Sequence, residues 1–263
     1  MAKLLVMTDL HLASPGARII GLDPLERTVS GLIHAARVHA DADRLVLMGD
    51  LTNAGEPEAY EALKGALSDV PWPVTLMIGN HDDRSEFRRR FPDHVVDENG
   101  FVQTVTDLED VRIVTLDTLQ QDSDPPHSGR LCNDRLGWLQ QALATDRPRL
   151  VFLHHPPFLS GFSGMDRIAL QDREAFWDLM ENANVAHIFS GHIHRTITAS
   201  VRRKSVTVFK STCHQMPMLL GEEGSGHSVD EPGAYGIVLT QGDEVVVHFE
   251  DFTLPAQVVR QCD

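Results

Sequence analysis

Short apolar runs rich in Val, Ile and Leu recur along most of the chain. They lie at 4–7, 45–48, 74–78, 111–116, 150–153 and 187–189. Continuous apolar runs of this length are typical of strands buried on both faces of a sheet. The pattern therefore predicts six buried strands.

Between these runs the apolar residues follow a helical period. In the clearest case Asp23 stands where an N-cap is expected and Pro24 occupies the first helical position. The predicted apolar face of this helix consists of Leu25, Val29, Leu32, Ile33 and Ala36. Similar segments at 56–67, 134–144 and 172–180 predict three further helices.

After Thr196 the pattern changes, and runs at 206–209, 237–239 and 245–249 indicate strands joined by turns. The segments 160–164 and 221–233 are rich in glycine and small polar residues and predict loops. The sequence contains no internal repeat. We expect a single mixed α/β domain over 1–263, with a β-rich part from about 196 onward.

The charge balance limits the classes of partner. The 263 residues include 23 Lys and Arg against 38 Asp and Glu, a formal net charge of −15, and 42% are hydrophobic, which is enough for a sizeable core. Such a chain repels phosphate backbones, and its basic runs are confined to 88–90 and 202–204. We interpret 88–90, which lies in a segment of helical character, as a solvated face. The composition argues against nucleic acid polymers and anionic membranes as partners.

The cysteines and the N-terminus indicate the compartment. Cys132, Cys213 and Cys262 lie far apart and form no CxxC motif, which favours a reducing environment. Too few apolar residues precede Asp9 for a signal peptide, and no later run is long enough to span a bilayer. These features predict a cytoplasmic protein.

Potential metal ligands follow five of the predicted strands. They are Asp9 and His11, Asp50, Asn80, His154, and His192 with His194. Sites in open α/β sheets form beyond the carboxyl ends of the strands, so these side chains are able to converge. They offer oxygen and imidazole nitrogen but no thiolate, and they are too many for one tetrahedral ion with an open position. If Asp50 bridges, they divide between two ions.

Glycine directly precedes the ligand in three of these motifs, at Gly49, Gly79 and Gly191. Glycine suits a position where a strand turns sharply and neighbouring backbones approach closely. The Asp-x-His pair and the His-x-His pair have a spacing of two, which on an extended chain points both side chains to the same side. Each pair is therefore expected to serve one site.

Taken in order, the motifs Asp-x-His, Gly-Asp, Gly-Asn-His-Asp, His and Gly-His-x-His resemble those of the calcineurin-like metallophosphoesterase superfamily, over essentially the whole chain. The chain looks most similar to the class III cyclic nucleotide phosphodiesterases and bacterial glycerophosphodiesterases of that superfamily. The stretches that carry this likeness are 8–11, 49–55, 79–83, 154–157, 191–194 and 212–217.

This resemblance implies a four-layer α/β/β/α sandwich in which the part from about 196 to 263 completes the second sheet and a cap. It implies two divalent metal ions that share a bridging hydroxide, and the mixed ligands suit manganese, iron, zinc or cobalt. One metal would be held by Asp9, His11, Asp50 and His194, and the other by Asp50, Asn80, His154 and His192. Such a pair suits hydrolysis of a small phosphodiester, a 3′,5′-cyclic nucleotide or a glycerophosphodiester.

Three residues beside the ligands are candidates for catalysis or substrate binding. His81 follows Asn80 directly, so both are expected to contact the substrate, with His81 binding a phosphoryl oxygen or protonating the leaving alkoxide. Asp82 is predicted either to orient this imidazole or, like Asp83, to cap a helix. His214 is a second candidate for contacting the phosphate.

The segment Asn53-Ala54-Gly55 departs from two patterns of the superfamily. Phosphoprotein phosphatases carry Asp-Arg-Gly there, so the departure argues against protein phosphatase activity. Many phosphodiesterase relatives have Asp at the position of Asn53, which leaves a role for this side chain open.

Several residues near the motifs have structural alternatives. His155 is predicted to pack or hydrogen-bond beside the ligand. Phe158, Phe162 and Met165 are expected either to line a substrate pocket or to cap the core. His127, like the other histidines without a motif, is predicted to be a surface or satisfied core residue.

Two other functions fit the same motifs. A phosphomonoesterase or nucleotidase would need only a different pocket around the metal centre. A non-catalytic scaffold on this fold would be expected to have lost ligands, whereas every ligand position here is filled. Relatives often form homo-oligomers, and the C-terminal part is a candidate interface.

Overall fold

The computed structural model describes residues 1–221 and 226–255. Cys262 and residues 222–225 of the predicted loop lie outside the described residues. No helix in the described ranges is long and apolar enough to cross a membrane.

The chain consists of strands and helices up to about residue 190, and the elements described after that point are strands. The strands are β1 (Ala2–Met7), β2 (Arg44–Met48), β3 (Val74–Met77), β4 (Thr104–Asp107), β5 (Arg112–Leu116), β6 (Arg149–Leu153), β7 (Val185–Ser190), β8 (Ile197–Val201), β9 (Lys204–Val208), β10 (Tyr235–Gln241) and β11 (Glu244–Glu250). The helices are α1 (Pro24–Val38), α2 (Pro57–Ala66), α3 (Arg84–Arg90), α4 (Asn133–Ala142), α5 (Ser163–Arg167) and α6 (Arg173–Glu181). All six strands predicted from apolar runs are present.

The strands form two sheets. The first has the order β11-β10-β1-β2-β3, with β1, β2 and β3 parallel and β10 antiparallel to β1. The second has the order β4-β5-β6-β7-β9-β8, with a parallel centre and antiparallel edge strands β4 and β8. The C-terminal strands are thus divided: β8 and β9 extend the second sheet, whereas β10 and β11 extend the first. The β-rich C-terminal part thus contributes strands to both sheets.

Three apolar clusters separate four layers. Val6 and Val46 of the first sheet share a cluster with Phe152 and Phe189 of the second, so the sheets pack face to face. Helices α1 and α2 cover the outer face of the first sheet. Helices α4 and α6 cover the outer face of the second. This is the predicted α/β/β/α sandwich.

Helix α1 begins as predicted but buries a different face. The Asp23 carboxylate accepts hydrogen bonds from the backbone N–H groups of Leu25 and Glu26, and Pro24 follows the cap. Ile33, predicted to face the core, is 65% exposed. The buried face instead includes Gly31, where a Cβ atom would lie 3.2 Å from the Phe252 ring. Leu32 of the predicted face is buried as well, so the buried face is rotated from the predicted one and partly overlaps it.

Three elements were missed by the apolar pattern. Strand β8 is an edge strand of alternating half-buried and exposed residues. Strand β4 is a half-exposed edge strand of Thr, Val and Asp, so it carries no continuous apolar run. Helix α5 begins at Ser163, inside the predicted loop at 160–164. The Asp166 carboxylate folds the chain there by accepting hydrogen bonds from the backbone N–H groups of Ser160 and Gly161.

We expect Asp23→Ala to lower the free energy of unfolding by about 1 kcal/mol, because two N–H groups of the first turn of α1 lose their acceptor. Asp23→Asn keeps an acceptor oxygen and should recover most of this loss. Urea denaturation of the three proteins measures the effect. Equal stability of Asp23→Ala and the native chain would show that the cap contributes nothing.

Candidate metal centre

The predicted ligands follow the carboxyl ends of β1, β2, β3, β6 and β7. Each lies one to four residues beyond the end of its strand. The parallel strands of both sheets end on one side of the sandwich, and the side chains meet there. All seven predicted ligands, Asp9, His11, Asp50, Asn80, His154, His192 and His194, surround one cavity or lie directly beneath it.

One group of ligand atoms contains His11, His194 and Asp9. The Nε2 atoms of His11 and His194 lie 3.0 Å apart. Nε2 of His194 lies 3.3 Å from Oδ1 of Asp9, and Nε2 of His11 lies 3.8 Å from Oδ2 of Asp50. These four residues therefore direct nitrogen and carboxylate atoms to a common point.

A second group shares Asp50. Its Oδ2 lies 3.2 Å from Nε2 of His154, and the ligand atoms of Asp50, His154 and His192 are all within 4.8 Å of one another. Asn80 lines the same cavity, and its Oδ1 is buried without a hydrogen-bond partner. Asp50 thus faces both groups of ligands.

The backbone at these strand ends is strained. Asp9, His11, Asp50, His192 and His194 have φ angles between 46° and 71°, in the left-handed region. Non-glycine residues in this region cost about 1–3 kcal/mol each and cluster at functional sites. The Asp-x-His and His-x-His pairs were expected to point to the same side because of an extended backbone, and this expectation is corrected. Left-handed turns beyond the strands bring each pair together.

The three glycines singled out in the sequence each lie against a ligand from another motif. A Cβ atom on Gly49 would lie 2.6 Å from Nδ1 of His154, and one on Gly191 would lie 2.8 Å from Oδ2 of Asp9. A Cβ atom on Gly79 would lie 2.2 Å from Oδ1 of Asp50. Glycine is required because the strand ends approach closer than any side chain permits.

Outer hydrogen bonds fix the orientation of two imidazoles. Nδ1 of His154 donates to the carbonyl of Met48 at 3.0 Å, and Nδ1 of His194 donates to the carbonyl of His214 at 2.8 Å. Nε2 of each ring is then left to face the centre, as in metal-ligating histidines. Nε2 of His154 and of His192 are buried without a hydrogen-bond partner. These unpaired buried atoms fit the metal ions that the sequence implies.

Electrostatics favour positive charge at the centre. Burial opposes ionisation of Asp50 and Asp9, yet the facing imidazoles outweigh it and lower the pKa of both carboxyl groups. Burial also disfavours the charged form of His154, but Asp50 and Asp9 raise its pKa to about 9. The two carboxylates therefore draw positive charge into the site, as a proton or as a metal ion, so metal binding will displace protons.

His81 lies beside this centre, held by a main-chain contact. Its Nδ1 donates to the carbonyl of Asn53 at 2.7 Å, and its ring lies 4.8 Å from that of His11. Because the acceptor is a backbone carbonyl, Asn at position 53 serves as well as Asp would. The contact leaves Nε2 of His81 as the nitrogen available to a substrate.

Asp82 does not contact His81, which corrects the predicted orienting role. Its carboxylate accepts from the backbone N–H groups of Leu51, Thr52 and Gly79 and from the hydroxyl of Tyr60. Burial and the nearby Asp50 raise its pKa to about 6. Asp82 thus ties the end of β2 to the end of β3. Asp83 is the N-cap of α3, the predicted alternative for this pair.

Two further histidines line the cavity. His214 is buried with its ring 4.6 Å from that of His194, and burial lowers its pKa to about 3. His127 is exposed, as expected of a surface residue, and it also stacks on His81 at 5.0 Å with its Nδ1 3.2 Å from Nδ2 of Asn80. No motif marks His127, because its position depends on a loop that packs from elsewhere in the chain.

His155 is satisfied beside the ligand, as predicted. Its Nδ1 lies 2.7 Å from the hydroxyl of Thr118 and its Nε2 lies 3.1 Å from the carbonyl of His127. Phe158 and Phe162 are core residues, whereas Met165 lines the cavity. Of these three residues, which were predicted to line a pocket or to cap the core, only Met165 lines the cavity.

Comparison with known proteins agrees with this geometry. The family model for calcineurin-like phosphoesterases matches residues 2–196. A probable cyclic nucleotide phosphodiesterase of Rhodopseudomonas palustris is 40% identical over 94% of this chain and 91% of that protein. A glycerophosphodiester phosphodiesterase of Enterobacter lignolyticus is 29% identical over 80% of this chain and 77% of that protein. A dimetal phosphatase from Danio rerio shares the fold, with a TM-score of 0.67, 12% identity and coverage of 94% of this chain and 98% of that one. The chain belongs to the calcineurin-like phosphoesterase family.

Proposed function

We propose that this protein is a dinuclear metal-dependent phosphodiesterase that hydrolyses a small diester, a 3′,5′-cyclic nucleotide or a glycerophosphodiester. The observation that carries this proposal is the pair of buried carboxylates, Asp9 and Asp50, surrounded by imidazole nitrogens without other partners. The relatives named as phosphodiesterases support the diester as substrate.

The ligand atoms favour a division between two ions. One would be held by Asp9, His11, Asp50 and His194, and the other by Asp50, Asn80, His154 and His192. Two such ions supply an activated water and stabilise charge on the phosphoryl group during in-line displacement. Mixed carboxylate, amide and imidazole ligands suit manganese, iron, zinc or cobalt.

His81 is proposed to act on the leaving group. Its Nδ1–H donates to the Asn53 carbonyl, so only Nε2 is free to meet the substrate. A neutral ring accepts a hydrogen bond at Nε2, whereas a protonated ring donates its proton to the departing alkoxide. The Asn53 carbonyl accepts from Nδ1–H and so holds the ring in place, with Nε2 as the nitrogen left for the substrate. Asp82 supports this arrangement indirectly, by fixing the strand ends that carry Asp50 and Asn80.

His214 and Asn80 are proposed to position the phosphate. His214 lines the cavity with Nδ1 buried and unpaired, so a neutral imidazole is available to bind a phosphoryl oxygen. Nδ2 of Asn80 remains a donor on the cavity side while Oδ1 serves the metal. Together they would orient the diester for attack opposite the leaving alkoxide.

The proposed preference for diesters is tested with manganese-loaded protein on bis(4-nitrophenyl) phosphate and 4-nitrophenyl phosphate. We expect a higher kcat/KM for the diester, because its second ester arm would occupy the cavity beside the metal centre, whereas the monoester has no such arm. A clear preference for the monoester would identify a phosphomonoesterase instead. A protein that binds two metals and hydrolyses neither would be a scaffold.

His81→Ala should keep both metals, since His81 is not among the proposed ligands. It should lower kcat about 10²- to 10⁴-fold on a diester with an alkoxide leaving group, because general acid catalysis contributes that much. The loss should be smaller on bis(4-nitrophenyl) phosphate, whose leaving group needs no proton. Equal losses on both substrates would rule out the acid role.

Gly79→Ala should lower metal content without removing a ligand. Its Cβ atom would lie 2.2 Å from Oδ1 of Asp50 and 2.7 Å from Nε2 of His154, so both ligands must shift. Gly65→Ala is the matched control, because nothing lies within 4 Å of that Cβ position. Elemental analysis should find close to two metals in Gly65→Ala, one in Asn80→Ala and fewer than two in Gly79→Ala. Two tightly bound metals in Gly79→Ala would contradict the proposed site.

A further inference from the structure

The cavity in front of the metal centre, about 590 Å³ in volume, is also lined by apolar side chains that the proposed chemistry does not use. These residues, here termed the apolar wall, are Ile19, Met165, Ile168, Ile193 and Met216, and Met165, Ile193 and Met216 belong to one apolar cluster. The rest of the lining consists of the imidazole and amide groups of the metal centre and a few polar residues, Arg167 and Ser228 among them. The aliphatic and thioether side chains of the apolar wall have no part in metal binding or proton transfer.

Helix α5 fixes one part of the apolar wall. It spans only five residues and needs support from outside the helix. The Asp166 carboxylate accepts hydrogen bonds from the N–H and hydroxyl of Ser160, at 2.6 and 2.7 Å, and from the N–H of Gly161 at 3.0 Å. Met165, the preceding residue, is half-buried against the apolar cluster that contains Met216 and Ile193. Its side chain is therefore held at the cavity by the core.

The segment that carries Met216 is tied to the same helix. The N–H of Ser163 donates to the carbonyl of Gly221 at 2.9 Å, and the N–H of Gly221 donates to the carbonyl of Gly161 at 2.8 Å. Met216 itself is 5% exposed. The two methionines thus come from different parts of the chain but sit on one connected support, and the wall is preformed.

The chemistry of the apolar wall distinguishes the two diester classes. Glycerol and ethanolamine substituents carry hydroxyl or ammonium groups, which lose hydrogen bonds to water when they pack on methionine and isoleucine. A nucleobase presents a flat, weakly polar face, and methionine sulfur makes favourable contacts with aromatic rings. Its polar edge would have the hydroxyl of Ser228 in the same cavity. A volume near 590 Å³ lies in the range of pockets that enclose ligands of nucleotide size.

We propose that the apolar wall is a nucleobase subsite and that Met165, Ile168 and Met216 select a nucleoside phosphodiester over one with a polar alkyl substituent. This inference rests on the proposed phosphodiesterase function, because the metal centre must hold the phosphate while the wall holds the base. Specificity then resides in α5 and the segment after His214, and the metal ligands supply the reaction common to both diester classes.

The first test compares KM values for 3′,5′-cyclic AMP and glycerophosphoethanolamine with manganese-loaded protein. Met165→Ala and Ile168→Ala should each raise the KM for cyclic AMP about tenfold, with a smaller change for glycerophosphoethanolamine and with kcat little affected. Met218→Ala is the matched control, since Met218 is 64% exposed and does not line the cavity. A KM ratio between the substrates that is unchanged in both wall variants would overturn the subsite.

The second test measures binding without catalysis. Titration calorimetry with adenosine should show binding to the native protein and to Met218→Ala, and about tenfold weaker binding to Met165→Ala. No adenosine binding by a protein that hydrolyses diesters would overturn the subsite and leave the proposed function standing. Conversely, adenosine binding that Met165→Ala weakens, in a metal-loaded protein without diesterase activity, would support the subsite and refute the proposed function.

Discussion

Two carboxylates buried between the sheets impose the main constraint on this structure. Asp9 and Asp50 are 0% and 1% exposed. A buried charge without a partner costs several kcal/mol, so each carboxylate must be matched by positive charge and hydrogen bonds. Part of that match is local: the hydroxyl of Thr8 donates to Asp9, and the backbone N–H of His81 donates to Asp50. The rest falls to the surrounding imidazoles and to the metal ions proposed for the site.

To surround these carboxylates the strand ends must approach each other closely, and this explains the glycines and left-handed turns found there. Where the strand ends meet, the chain has glycines without side chains: Gly49, Gly79 and Gly191. Left-handed turns direct Asp9 and Asp50 to one point. These conformations are costly taken singly. They persist because the strands that lead into them are fixed by the apolar layer between the two sheets. The rigid part of the fold therefore supports strain at the edge where chemistry takes place.

The substrate side is built on different principles. The proposed metal ligands follow parallel strands of four to six residues, whereas Met165, Met216 and His127 come from a five-residue helix and from loops. Loops on a rigid scaffold are where related proteins vary in specificity. Relatives of this chain are named as a probable cyclic nucleotide phosphodiesterase and as a glycerophosphodiester phosphodiesterase.

The sequence by itself determined six buried strands and the candidate ligands, because each depends on short-range patterns, whereas the two-sheet sandwich followed from the resemblance to a family. Apolar runs mark buried strands, and a ligand placed just after Gly49 or Gly79 marks a strand end. Tertiary structure decided what depends on distant contacts. Gly31 was found on the buried face of α1, against Phe252, and Asp82 was found to join two strand ends rather than orient His81. The contact to His81 comes from the main-chain carbonyl of Asn53, and a main-chain group leaves no mark in residue identity.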